Sequence, residues 1–247
     1  MVDRGWQVID HQPAIATWAQ AAHKLALATL RSRDEAWRCG GTWLVGVDAL
    51  PNDPSGAVPD AAFPWDALPL VEEPLHQGQL SVIKPGYPQP SPTEAAPAFK
   101  YRLNRDAAHL DGLLLQPNGA RMMQEPHRWI LGLPLNISDA SPLVVWDGSH
   151  VILRAALLRS LADVPPEDWG SVDLNPAYQA ARRDIFATCT RRLLPVQPGQ
   201  ATLLHRLTLH GVAPWRGSDT APPEGRIIAY FRPQMGSVQD WLTAPLR

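Results

Sequence analysis

Three short stretches hold residues whose types and spacing could do chemistry. In residues 107–115 (AAHLDGLLL), His109 and Asp111 stand two apart. On an extended strand, where side chains alternate faces, that spacing turns an imidazole and a carboxylate to the same side, within reach of one metal ion. Gly112 follows at once and lets the strand turn into a loop. Residues 203–214 (LLHRLTLHGVAP) offer His210 as a third ligand, far along the chain. Two imidazoles and one carboxylate on one face of an octahedral ion leave three positions open, a donor set that suits Fe(II). Residues 225–233 (GRIIAYFRP) place Arg226 at the head of an apolar strand, where its forked guanidinium can pair with a carboxylate. Arg232 stands six residues further on, and an even separation on one strand turns both guanidiniums the same way.

Other histidines compete for the site. His205 precedes His210 by five residues, an odd number, so on one regular strand only one of them can point inward. His150 sits in WDGSH, where a strand gives way to a helix. His11, His23, His76 and His127 lie on or beside a helix or in loops and read as ordinary polar or core residues.

The elements that must position these groups read mainly as strands. Residues 42–47, 79–83, 129–136, 142–146, 192–196, 200–205, 208–212 and 226–231 are short apolar runs bounded by Gly, Pro or Asn turns. Residues 99–103 lead into the H-x-D strand, and Pro117-Asn118-Gly119 is a turn between antiparallel strands. Helices are expected over residues 13–30, capped by Asp10, over 151–161 and over 175–189. The proline-rich stretch 87–98 reads as an extended loop. Two long irregular stretches, 51–74 and 214–225, are candidates for a lid. Eight or so strands in this antiparallel cadence, with helices before and between them, predict a jelly-roll double-sheet barrel.

Composition narrows the function class. The 247 residues carry a net charge of −2 with acids and bases interspersed, which gives no electrostatic case for nucleic acid or a membrane surface. Cys39 and Cys189 are too few for a disulfide scaffold. The opening MVDRGWQVID has no apolar core of a signal peptide, and no apolar run approaches a membrane span, so a soluble, cytoplasmic protein is expected. No linker divides the chain. We expect one domain over residues 1–247: support elements in about 1–78, a catalytic core in about 79–233 and a tail in 234–247.

The order of these pieces resembles the phytanoyl-CoA dioxygenase-like family of Fe(II)/2-oxoglutarate-dependent oxygenases. Besides HLDG and LHGVAPW, PLVVWDGSHVIL is similar to that family's GSH segment, and PGQATLLH to its glycine-led strand before the distal histidine. The resemblance implies a double-stranded β-helix, with Fe(II) held by His109, Asp111 and His210. It favours His210 over His205, whose following residues do not match, and gives His150 no ligand role. It implies 2-oxoglutarate as co-substrate, its distal carboxylate on Arg226 with Arg232 as companion. It further implies O2 as oxidant, and hydroxylation of a small-molecule C–H bond with release of succinate and CO2. Trp215 departs from the Asn or Ser that members commonly carry there, so the substrate stays open. Trp215 is a candidate to close over it. Arg102 and Arg105 flank the H-x-D stretch and would serve an anionic substrate group if either faces the barrel mouth; otherwise they are surface charges. Two other classes fit the same residues: a cupin-like isomerase or binding module that ignores 2-oxoglutarate, and an inactive relative. The oligomeric state is not legible.

Overall fold

Proline, alternation and turn residues define most of the scaffold. The structure is a computed structural model and describes residues 3–91, 94–216 and 222–245. The strands are β1 (Trp6–Ile9), β2 (Trp43–Leu44), β3 (Gln79–Ile83), β4 (Leu113–Leu115), β5 (Arg121–Met123), β6 (Trp129–Pro134), β7 (Leu143–Trp146), β8 (Arg191–Leu194), β9 (Ala201–His205), β10 (His210–Val212) and β11 (Arg226–Phe231). The helices are α1 (Pro13–Ser32), α2 (Ala96–Arg105), α3 (Ser149–Ser160), α4 (Asn175–Thr188) and α5 (Val238–Thr243).

Six strands form an antiparallel sheet in the order β1-β9-β6-β11-β3-β2, and three form a second sheet, β10-β7-β8. Strands β4 and β5 pair as a hairpin around the expected Pro117-Asn118-Gly119 turn. The two sheets face each other: Ile130 and Leu204 of the large sheet pack with Leu143, Val145 and Leu194 of the small one. Among the described residues no hydrogen-bonded ladder joins the sheets, so the expected barrel is an open pair of layers.

Period-two alternation assigns the two faces of the large sheet. Leu80, Val82, Ile227, Ala229, Phe231, Leu131, Leu133 and Leu203 face outward onto α1 and the 51–74 stretch, where they form the largest apolar cluster. Trp18 of α1 is fully buried there, edge-on to Phe63 and Phe231, and its indole N–H donates to the Gly56 carbonyl at 2.9 Å. Burying each such side chain contributes about 1.5–3 kcal/mol. The opposite positions, Gln79, Ser81, Arg226, Ile228 and Tyr230, face the small sheet.

Several expectations change. The 51–74 stretch is no lid: Val58, Phe63 and Leu68 are buried on the outer face of the large sheet, away from the inward face that carries the candidate groups. Residues 99–103 are not extended but belong to α2, where Ala and Pro97 favour a first helical turn and Tyr101 packs against Phe186 of α4. Helix α1 has Gln12, not Asp10, at its N-cap, and Pro13 starts it without any side-chain cap. The 42–47 strand shortens to β2 because the chain turns at Asp48, whose φ is 49°. Residues 208–209 are outside β10. Both cysteines are free. Among the described residues no helix is long and apolar enough to cross a membrane.

Candidate metal centre

His109 and His210 meet because their backbones pair. The His109 amide donates to the His210 carbonyl at 2.8 Å and the reverse bond is 3.1 Å, an isolated antiparallel bridge that extends the small sheet beside β10. The H-x-D stretch is therefore one bridging residue followed by a turn at Asp111-Gly112, not a regular strand. Its two side chains still converge.

The approach to this bridge is tightly fixed. Asp106 and Ala107 both adopt left-handed backbone, with φ of 54° and 52°. The Asp106 carboxylate accepts from Arg191 Nε at 2.7 Å and Nη2 at 2.6 Å, while its carbonyl accepts from the Val212 amide at 2.8 Å. Gly211 is obligatory at this crossing, since a Cβ there would lie 2.1 Å from the Asp106 carbonyl oxygen. Each imidazole is then oriented by a backbone carbonyl two residues earlier. His109 Nδ1 donates to the Ala107 oxygen at 3.0 Å and His210 Nδ1 to the Thr208 oxygen at 2.9 Å. A carbonyl only accepts, so both Nδ1 atoms carry a proton and each Nε2 is the ring atom left to ligate an ion.

Those Nε2 atoms converge on Asp111. Its Oδ1 lies 3.2 Å from His109 Nε2 and 3.7 Å from His210 Nε2, and the ligand atoms of all three residues fall within 4.8 Å of one another. The His210 and Asp111 side chains are buried, while the His109 side chain is about half exposed, so the site opens on that side. Burial pushes the His210 imidazole down to about 4 despite the pull of Asp111, which keeps it neutral. Burial also opposes charge on His109, but the hydrogen bond and charge of Asp111 outweigh it and raise its pKa above the ordinary histidine value. Burial likewise opposes charge on Asp111; His210, Arg232 and the hydrogen bond with His109 outweigh it and hold the carboxyl well below the usual range. A dication seated here would displace the proton that Asp111 draws onto His109.

The three residues line a cavity of about 60 Å³ together with Trp43, Gln79, Ser81, Ile130, Leu143, Gly211, Val212, Tyr230 and Arg232. Larger concavities lie elsewhere, one of about 600 Å³ being an open groove between α1 and residues 135–137 with no metal-ligating cluster among the described residues. Arg226 is buried on the inward row of β11, opposite Ile83, and among the described residues its Nη1 has no hydrogen-bond partner. Arg232 shares that inward direction, as the even spacing requires, but its guanidinium rests on Asp111 Oδ2 at 2.9 Å and on Gln79.

Other sequence candidates are placed apart from the cavity. Arg102 is taken by Glu94, at 2.6 Å from both Nε and Nη2, and Arg105 lies over the Phe186 ring at 4.6 Å. Trp215 packs against the Cys39, Ile83 and Tyr87 cluster, as do Trp43 and Val212, which line the cavity while Trp215 does not. Residues 217–221 of the expected closing loop lie outside the described residues. His205 and His210 do not share a strand, as the parity reading assumed: β9 belongs to the large sheet and β10 to the small one. His205 is buried with its ring 4.7 Å from that of His150, and its Nδ1 accepts the Leu207 amide at 2.7 Å. Sequence reading passed over Gln79, Ser81 and Tyr230. The signal was present, since polar groups at every second position of an otherwise apolar strand mark an inward face. His76 was also read as bland, yet its Nε2 accepts the Arg232 amide at 2.8 Å.

No protein-family model and no curated protein matches this chain. Solved structures do. It is similar to the non-heme alpha-ketoglutarate-dependent carbocyclase SnoK from nogalamycin biosynthesis, with 14% identity, a TM-score of 0.45 and coverage of 97% of this chain and 85% of that one. It is similar to the non-heme alpha-ketoglutarate-dependent epimerase SnoN from the same biosynthesis, with 12% identity, a TM-score of 0.44 and coverage of 94% and 78%. A third is EctD from S. alaskensis with bound Fe, at 14% identity, TM-score 0.43 and coverage of 93% and 72%.

Proposed function

We propose that the chain is an Fe(II)- and 2-oxoglutarate-dependent dioxygenase that hydroxylates a small molecule, its residues from about 79 to 233 forming a jelly-roll core. The observation that carries this reading is the convergence of His109 Nε2, His210 Nε2 and Asp111 Oδ1, with a buried arginine, its Nη1 unpaired among the described residues, on the inward row of β11. The donor set fits Fe(II): two imidazoles with their Nδ1 atoms already committed, and one carboxylate, on an ion that retains open positions. A buried guanidinium short of a partner favours an anionic ligand, because an uncompensated buried charge is costly. Arg226 would hold the distal carboxylate of 2-oxoglutarate, with Ser81 and Tyr230 on the same inward face.

Bound iron and 2-oxoglutarate supply O2-dependent oxidative decarboxylation coupled to C–H hydroxylation, with succinate and CO2 released. The chain's own residues do the rest. His109, Asp111 and His210 hold the ion, and the carbonyls of Ala107 and Thr208 keep both imidazoles in the ligating tautomer. Ile130, Leu143, Val212 and Trp43 exclude water from the cavity wall, and the half-exposed side of His109 marks where a substrate enters. Trp215 packs against the cluster that Trp43 and Val212 share and would support this wall from behind rather than touch a substrate.

The test is anaerobic. Wild-type protein given Fe(II) and then 2-oxoglutarate develops a visible charge-transfer band, and His210→Ala does not. Absence of the band in folded, iron-loaded wild type refutes the reading and favours a metal protein that ignores 2-oxoglutarate.

A further inference from the structure

Arg232 is held from three directions. Its Nη1 donates to Asp111 Oδ2 at 2.9 Å, its Nη2 donates to Gln79 Oε1, and its backbone N–H donates to His76 Nε2 at 2.8 Å. The Asp111 carboxylate is thereby divided. Oδ1 faces the Nε2 atoms of both histidines, and Oδ2 faces the guanidinium. Arg226, six residues earlier on the same face, leaves its Nη1 without a partner among the described residues.

We propose that Arg232 is a positioning residue that acts through Asp111. It restricts the carboxylate to ligation through one oxygen and fixes a positive charge beside the ion. The bare site therefore holds a divalent ion weakly, and the ion-loaded site holds a chelating dianion tightly. This rests on the reading of the site as a metal centre for a 2-oxo acid. The charge balance gives the reason. With both imidazoles neutral, Asp111 and Arg232 cancel, so a divalent ion leaves this cluster at +2; the chelating carboxylate of the dianion lowers it to +1, and its distal carboxylate is matched by Arg226. A guanidinium repels the ion and attracts the dianion, and a pair in low dielectric feels this far more than one in water. With Arg232 on Oδ2, that oxygen is also kept from taking a coordination position that the chelate needs.

The experiment titrates Mn(II), followed by the EPR signal of the free ion, into wild type, Arg232→Gln and Arg232→Lys. Each titration is run with and without 2-oxoglutarate, and the thermal melt of each protein is recorded. Arg232→Gln should bind Mn(II) alone about tenfold more tightly while its Mn(II)-loaded form binds 2-oxoglutarate about tenfold more weakly. Arg232→Lys keeps the charge and should stay near wild type for Mn(II) alone. The opposite signs are the signature. A purely structural role weakens both affinities, and direct contact with 2-oxoglutarate alone weakens only the second; either outcome overturns the proposal while leaving the metal site standing. Wild type that takes up no Mn(II), or whose Mn(II) affinity does not respond to 2-oxoglutarate, overturns the reading of the site itself.

Discussion

Asp106→Ala tests whether the approach to the metal centre is held as described. Asp106 is buried, accepts two charge-assisted bonds from Arg191 and sits at φ 54°. Bonds to charged groups contribute roughly 1.5–3 kcal/mol. The Arg191 side chain is 42% exposed and can be hydrated once released, so the lower end applies, about 2 kcal/mol. Alanine in left-handed backbone costs about 1 kcal/mol more than aspartate, whose side chain tolerates that region. The sum is about 3 kcal/mol, or a melting shift of about 6–12 °C in a chain of this size. Asp106→Asn keeps the left-handed tolerance and one acceptor, and should lose only about 1 kcal/mol. Urea denaturation of the three proteins gives the energies, and Mn(II) titration should show weaker ion binding in Asp106→Ala than in Asp106→Asn, because the Ala107 carbonyl that orients His109 moves with this turn. If Asp106→Ala melts within about 2 °C of wild type, or is no less stable than Asp106→Asn, the clamp does not hold the turn.

Three other outcomes are expected. Arg226→Met should weaken 2-oxoglutarate binding by about 2–4 kcal/mol, on the order of 30- to 1000-fold, with Mn(II) affinity alone unchanged in calorimetric titration; an equal loss of both would assign Arg226 to the scaffold. Burial, with the repulsion of His150, depresses His205 to about 2 in the folded protein against about 6.5 unfolded. Its contribution is therefore full above pH about 6.5 and falls as pH drops toward 2, with a slope of up to about 1.4 kcal/mol per unit. His205→Asn, which can still accept the Leu207 amide, should flatten that acid limb in urea melts and leave metal binding intact. Gly112 has φ 80°, and a Cβ there would lie 2.1 Å from the Glu125 carbonyl oxygen. Gly112→Ala should cost about 3 kcal/mol or more by denaturation and weaken Mn(II) binding, since Asp111 adjoins it; a wild-type melt would contradict the close approach.

Sequence alone was enough to name the groups that converge. A two-residue spacing brought His109 and Asp111 to one side, although the local geometry is a bridge and a turn, because a shared direction needs only locally extended backbone and not a whole strand. Even spacing likewise turned Arg226, at the head of β11, and Arg232, just past its end, inward, and apolar runs bounded by turns located β3, β6, β7 and β11 closely. Only the tertiary structure decided what lies opposite each side chain. His210 was chosen over His205 by the residues that follow it, and the accompanying parity argument, that only one of the two could point inward, assumed one strand; the chain crosses between sheets after His205, and a crossing leaves no period to count. Arg232 looked like a companion to Arg226, but Asp111 and Gln79 arrive from elsewhere in the chain and claim it. Arg102 and Arg105 read as flanks of a strand and stand instead on α2, where Glu94 and Phe186 engage them. Residues 51–74 looked like a lid because they lack periodicity, and their apolar groups are buried on the outer face of the large sheet. Local backbone preference and side-chain period are written in consecutive residues, whereas contacts between distant residues depend on the register and facing of the two sheets, which no local pattern specifies.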